Sequence, residues 1–193
     1  MSTSRRVAKL ATAVTLFSVT LTGLPAANAV VPSAAPSMVS AVPTVTGSSS
    51  KDAFEAEVLR LTNKARSRSR MCGGTWKKAV GPVRWSSTLA ASANAHSADM
   101  ATRNYFSHYS PSGRSPFQRM RAAGYNYRAA GENIAAGRSL SAPEAVVKAW
   151  LRSPGHCKVI MNGKYKELGV GRVEGSGRWG VYWTQNFGKR KSR

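Results

Sequence analysis

Only two cysteines, Cys72 and Cys157, occur among 193 residues. Joining them would tie the middle of the chain to its last quarter. A crosslink across so long a loop is worth roughly 4–5 kcal/mol in the chain-entropy picture, so it restricts the possible folds more than any other pair of residues. The rival reading makes Cys157 a reactive thiol served by its neighbour His156. Adjacent side chains on an extended backbone point apart, which makes a poor nucleophile–base pair. The surrounding stretch, Trp150 to Met161, also combines a helix end, a Ser153-Pro154-Gly155 turn and one of only three histidines. A turn that presents His156 to a cleft, pinned there by Cys157, uses all of these features.

The choice between bridge and thiol depends on compartment, and the first residues bear on it. Residues 1–29 read as an export signal: Arg5, Arg6 and Lys9 make a basic start, an apolar run extends from Ala11 to Leu24, and Ala27-Asn28-Ala29 has the small residues of a cleavage site. The run is short for a membrane span, and no later segment approaches the required length. Ser4-Arg5-Arg6 lacks the apolar pair of a twin-arginine signal, so the ordinary secretory route fits better. An exported chain with two cysteines is expected to carry one disulfide. Residues 30–50, uncharged and rich in Pro, Ser, Ala and Val, read as a disordered linker. The domain is expected over residues 51–193, ending in a short basic tail, Lys189-Arg190-Lys191-Ser192-Arg193.

Charge narrows the partners. Removing Arg5, Arg6 and Lys9 with the leader takes the 29 basic residues to 26, against 8 acidic ones, a net charge of +18. Such a surface attracts polyanions in a salt-dependent way. Anionic cell-wall polymers are one candidate partner, and a solvated basic surface with no specific partner is the competing reading. The basic residues are scattered, and export argues against a genomic role, so no specific nucleic-acid partner is expected. No oligomer signal stands out, and a monomer is expected.

Within the domain, Asp52 to Arg66 has helical periodicity, with Phe54, Val58, Leu61 and Ala65 on one stripe. Cys72-Gly73-Gly74 turns the chain, and a loop through Gly81-Pro82 leads to a second helix over Ser86 to Arg103. His96 lies on that helix's buried stripe, where a core histidine bonded to backbone is favoured over a ligand. Ser115-Pro116-Phe117-Gln118 and Ser141-Ala142-Pro143-Glu144 both read as capping boxes opening helices. Between them Ala130 to Gly137 is a small-residue strand or turn holding an isolated acid, Glu132. Leu168-Gly169-Val170-Gly171 and Trp179 to Phe187 form two closing strands, with Trp179, Val181, Trp183 and Phe187 alternating onto one face. Helices before an antiparallel hairpin indicate an α+β fold. There is no repeat, no Gly-rich phosphate loop and no paired-cysteine zinc motif.

Gly131-Glu132-Asn133-Ile134, Ser153-Pro154-Gly155-His156 and Tyr182-Trp183-Thr184-Gln185-Asn186-Phe187 occur in this order. Asn63-Lys64-Ala65-Arg66, Phe106-Ser107-His108 with Ser110-Pro111, and Leu168-Gly169-Val170-Gly171 accompany them. With these motifs the chain resembles the CAP superfamily (cysteine-rich secretory proteins, antigen 5 and pathogenesis-related-one proteins, sharing the SCP domain), in its bacterial secreted form. The resemblance implies an α–β–α sandwich with a small antiparallel sheet between helical layers. It also implies a cleft lined by two histidines and two acids. His108, Glu132 and His156 carry over; the fourth place, an acid in eukaryotic members, falls at Ser153.

Three functions follow as expectations. The first is a non-enzymatic binding module, with His108 and His156 holding a divalent metal such as zinc, Glu132 orienting a ring, or the cleft taking a small or lipid-like ligand. No cofactor is required. Against it stands a purely structural role, in which His108, Glu132 and His156 only hold the loops together. The second is a weak protease-like hydrolase, with His156 or His108 as general base and water or Ser153 as nucleophile. The third is retention on anionic wall polymers through charge, which is compatible with the first.

Overall fold

The computed structural model describes residues 53–192. The leader, the linker, the first two positions of the expected domain and Arg193 at the end of the expected tail lie outside the described residues. Helix α1 (Ala53–Arg66) buries Val58, Thr62, Ala65 and Arg66. Phe54, expected on that stripe, is instead exposed, with the Arg172 guanidinium 4.3 Å from its ring centre. Strands β1 (Arg70–Cys72) and β2 (Thr75–Lys77) form a small hairpin turned by Cys72-Gly73-Gly74. A two-residue strand β3 (Arg84–Trp85), which periodicity is too short to reveal, precedes helix α2 (Ser87–Thr102). Ser86 caps α2, its Oγ accepting from the Leu89 amide at 3.3 Å.

Helix α3 (Pro116–Ala122) opens with the expected capping box: Ser115 Oγ accepts from the Gln118 amide, and Gln118 Oε1 accepts from the Ser115 amide at 2.8 Å. The Glu132 segment is a ten-residue strand, β4 (Tyr127–Ala136). Helix α4 (Pro143–Arg152) departs from expectation, because Ala142 occupies the cap position and no side chain caps it. Ser141 closes the preceding 3-10 turn, Arg138–Leu140, which leaves it one residue too early for a capping box. The Ser-Pro-Gly turn is a correction too. Ser153 ends α4 and at once begins α5 (Pro154–Ile160), so His156 and Cys157 lie on a helical turn and not on extended chain. Strands β5 (Glu167–Glu174) and β6 (Val181–Arg190) complete the domain. Trp179 precedes β6 and packs edge-on against Tyr182, on the side opposite the one expected for it.

The main sheet has the order β3-β5-β6-β4. β4, β5 and β6 are antiparallel, and β3 runs parallel to β5. One face presents Leu168, Val170, Val181, Trp183 and Phe187 to Val58, Val146, Val147, Trp150 and Ile160 from α1, α4 and α5. The opposite face of β5 is glycine. A methyl group at Gly169 would overlap the α2 backbone at Leu89 and Ala90, and one at Gly171 would overlap it at Ala93 and Asn94. Bare backbone therefore lets α2 lie flush on the sheet. Helices on both faces of a small, mainly antiparallel sheet make an α+β, α–β–α sandwich.

Arg66 braces one side of it. Fully buried at the end of α1, it donates to the carbonyls of Gly81, Ile160 and Asn162 at 2.6–3.1 Å. Burial pulls its pKa down, and the carbonyl oxygens meet its donors.

Candidate functional site

Of the expected site residues, Glu132 lies on β4, an edge strand of the sheet, and binds the His108 ring, while the same strand reaches the His156 backbone carbonyl through Asn133. Successive residues of a strand point to opposite faces, so Glu132 and Asn133 serve two sides of the same edge. On the α2 side, Glu132 Oε1 lies 2.8 Å from His108 Nδ1. A carboxylate only accepts, so Nδ1 is the donor and, in the neutral imidazole, Nε2 keeps the lone pair. The Glu132 side chain is 2 % exposed and that of His108 42 %, so the acid is the buried support and the imidazole is the face shown to solvent.

Sequence reasoning missed the residue that makes this burial tolerable. Arg119 on α3 donates through Nη2 to both Glu132 oxygens, at 2.8 and 3.1 Å. Through Nη1 it donates to the carbonyls of His108 and Arg114, at 2.8 and 2.9 Å. One guanidinium therefore fixes both the acid and the loop that carries His108. The available signal was the isolated Glu132 itself, since a buried carboxylate calls for a cation.

On the other side of β4, Asn133 Nδ2 donates to Gln185 Oε1 at 3.0 Å and, more weakly, to the His156 carbonyl at 3.4 Å. Gln185 Nε2 in turn donates to Thr62 Oγ1 at 2.9 Å. This buried polar chain runs from α1 through the sheet to α5. Burial pulls the His156 imidazole below its ordinary pKa, and the charge on His108 adds to the effect. His96 stands apart: fully buried on α2, its Nε2 is 3.0 Å from the Ser107 carbonyl, a core histidine bonded to backbone.

Cys72 and Cys157 are joined, with Cα atoms 5.4 Å apart, and both are fully buried. Cys157 is therefore a tether and not a nucleophile. The hairpin turn at Gly73, with φ +61°, lies so close to Pro154 that a Cβ there would come within 2.9 Å of its ring. Bridge and turn together hold the first turn of α5, and with it His156, against β1. Ser153 is brought beside this turn, but among the described residues no hydrogen bond joins its hydroxyl to His156. Among those residues no three His, Cys, Asp or Glu side chains converge as a metal site. Glu132 is committed to His108 and Arg119, which leaves His108 Nε2 and the His156 ring as the donor set.

Residues 59–187 match the family described as the cysteine-rich secretory protein family, CAP. This chain belongs to that family. Among its relatives, the uncharacterized protein YkwD of Bacillus subtilis (strain 168) is 43 % identical over 144 residues, 75 % of this chain and 50 % of YkwD. An extracellular SCP-domain protein from Bacillus anthracis str. Ames has a crystal structure that superposes with a TM-score of 0.58 at 34 % identity, over 72 % of this chain and 40 % of that one. The structure of NaASP2 with Zn2+ shares the fold, with a TM-score of 0.52 at 17 % identity over 72 % of this chain and 84 % of NaASP2. This CAP protein thus spans half the length of YkwD and less of the Bacillus anthracis protein. No helix among the described residues is long and apolar enough to cross a membrane.

Proposed function

We propose that this CAP domain is a secreted, non-enzymatic binding module whose cleft takes a divalent cation, zinc being the best chemical fit, on His108 and His156. One observation carries the reading: Glu132, fixed by Arg119, holds His108 Nδ1 at 2.8 Å and so presents Nε2 as a ready lone pair. A carboxylate behind a ligating imidazole is the arrangement that orients metal-binding histidines. His156, kept neutral by burial, supplies a second ring nitrogen. Two imidazoles without a third protein donor leave the remaining positions to water or to a small ligand, so affinity is modest and falls with acid. The metal, when bound, supplies a Lewis-acidic attachment point. NaASP2, crystallised with Zn2+, is a relative by fold that makes the same metal a reasonable first choice.

Calorimetric titration of the mature domain with zinc tests this, comparing wild type with a His108→Ala/His156→Ala double variant. Binding by wild type alone supports it; heats that match between the two proteins sink it. The hydrolase alternative is left with water as the nucleophile, since Ser153 is not engaged with His156, and a His156→Ala variant assayed on casein addresses it.

Two further readings have their own observations. A lipid-like ligand fits the groove between α1 and α4, where Leu61, Val147 and Leu151 form an apolar floor beneath Lys64, Arg68 and Lys148. Retention on anionic wall polymers fits a groove lined by Arg128, Lys164, Lys166 and Lys189, the last of these belonging to the expected tail, whose first two residues are the end of β6. Salt elution from cell walls measures the latter, and elution unchanged by salt removes it. The extracellular Bacillus anthracis relative supports a secreted location.

A further inference from the structure

Residues 67–79 carry the β1–β2 hairpin, whose two faces differ. Residues paired across an antiparallel ribbon share a face, and successive residues alternate. Cys72 faces inward, because it is fully buried and bridged to Cys157 on α5. Met71 and Trp76, paired across the ribbon, therefore face outward, and they are 53 % and 60 % exposed. Each exposed phenylalanine leans on a neighbour: Phe106 on Trp179, Phe117 on Tyr127 and Phe54 on the Arg172 guanidinium. Trp76 has no such partner among the described residues. Holding the hairpin together does not account for the pair either. Ser69 Oγ accepts from the Ala79 amide at 3.0 Å, the Val80 amide donates to the Arg66 carbonyl at 2.9 Å, and the disulfide fixes the inner face. An indole held out on a fastened ribbon has little freedom left to lose on docking.

The charge around the pair selects the partner. Between Glu57 and Asp99 the chain carries eight Lys and Arg and no acid. Arg68 and Lys78, at the base of the hairpin, are both exposed, and the neighbouring α5 adds Lys158 and no acid. At the hairpin's foot a single acid, Glu144, shares a groove with Lys64, Arg68, Arg70, Lys148 and Arg152. Tryptophan settles at the headgroup level of a bilayer, and anionic lipids draw in lysine and arginine beside it. A sugar platform would need amides or carboxylates next to the ring to hold hydroxyls, and residues 67–79 contain no Asp, Glu, Asn or Gln. We infer that the outer face of this hairpin docks on an anionic phospholipid bilayer. Trp76 and Met71 enter the headgroup region, and Arg68 and Lys78 lie against lipid phosphates. The domain then rests on the surface without crossing it. This contact is separate from His108 and His156 and needs no metal.

The test is co-sedimentation of the protein with vesicles, in EDTA so that no metal takes part. One set is equimolar phosphatidylglycerol and phosphatidylcholine, and the other is phosphatidylcholine alone. Saturable binding to the first set and little to the second is expected, with added salt weakening it. Trp76→Ala and, separately, Arg68→Glu/Lys78→Glu should each weaken binding at least tenfold at an unchanged melting temperature, since all three side chains are exposed. Trp76→Phe should keep most of it. Brominated lipid should quench tryptophan emission in the wild type and far less in Trp76→Ala. The inference is overturned by failure to bind the anionic vesicles or by equal binding of the Trp76→Ala protein. Trp76-dependent binding to purified cell walls without binding to vesicles overturns it too, and makes the indole a platform for a wall polymer.

Discussion

Arg119 and Glu132 form a two-point ion pair beneath the cleft, their side chains only 11 % and 2 % exposed. Glu132→Gln leaves the guanidinium partly unpaired in a buried setting. It should lower unfolding free energy by about 3 kcal/mol. Urea denaturation measures this, and a Glu132→Gln/Arg119→Met double variant should recover part of the loss, because neither charge is then stranded. Equal losses in the single and double variants would show that the pair is not coupled.

Acid should destabilise the domain through two histidines. Burial holds both His96 and His156 below the ordinary value of 6.5, with Glu132 partly offsetting the effect at His96 and His108 adding to it at His156. The unfolded chain therefore takes up protons near pH 6.5, while the folded one does so only lower. The stabilisation is complete above that value and is lost as pH falls through the folded pKa values. Denaturation midpoints at about pH 7.5 and about pH 5.5 should differ, and His96→Gln should flatten the slope. A pH-independent midpoint in the wild type contradicts the burial assignment.

Removing the bridge should cost more than removing a contact. Cys72→Ala/Cys157→Ala opens a crosslink between residues 85 apart in sequence. A loss of about 4 kcal/mol is expected, with faster amide exchange along α5. Intact mass should rise by two hydrogens on reduction of the wild type and not of the variant.

Arg66→Met should be as damaging as a large core deletion, although the two side chains are close in volume. The carbonyls of Gly81, Ile160 and Asn162 lose their donor together. A loss of about 3 kcal/mol or more is expected, measured by thermal melting. Arg66→Lys should restore only part of it, since an ammonium cannot fork among carbonyls set apart from one another.

The fold's helices and closing strands were legible because their apolar spacing and caps are local. Ser115 with Gln118 follows from neighbours within a turn. What failed was decided by contacts remote in sequence. Ser141 loses its capping role to a 3-10 turn, and the His156 segment is helical because Ser153 both ends α4 and begins α5. β3 exists only through its pairing with β5, of which two residues carry no periodicity. His108 and Glu132, which the structure joins by a hydrogen bond, were legible as motifs. Arg119 was not, because a basic residue in the last turn of a short helix reads as a solvated end until the carboxylate beneath it is seen. Arg66 escaped notice for the same reason, sitting first in a run of alternating arginines and serines.

The glycines of β5 set how the protein can vary. Leu168 and Val170 face side chains that repack, so swaps of similar volume there are absorbed. Gly169 and Gly171 face the α2 main chain, which has no rotamer to give, and even a single methyl is refused. In a saturation library, tolerance along this strand should therefore alternate residue by residue. The most intolerant positions would be those with no side chain at all, and hydrophobicity would be a poor guide to them.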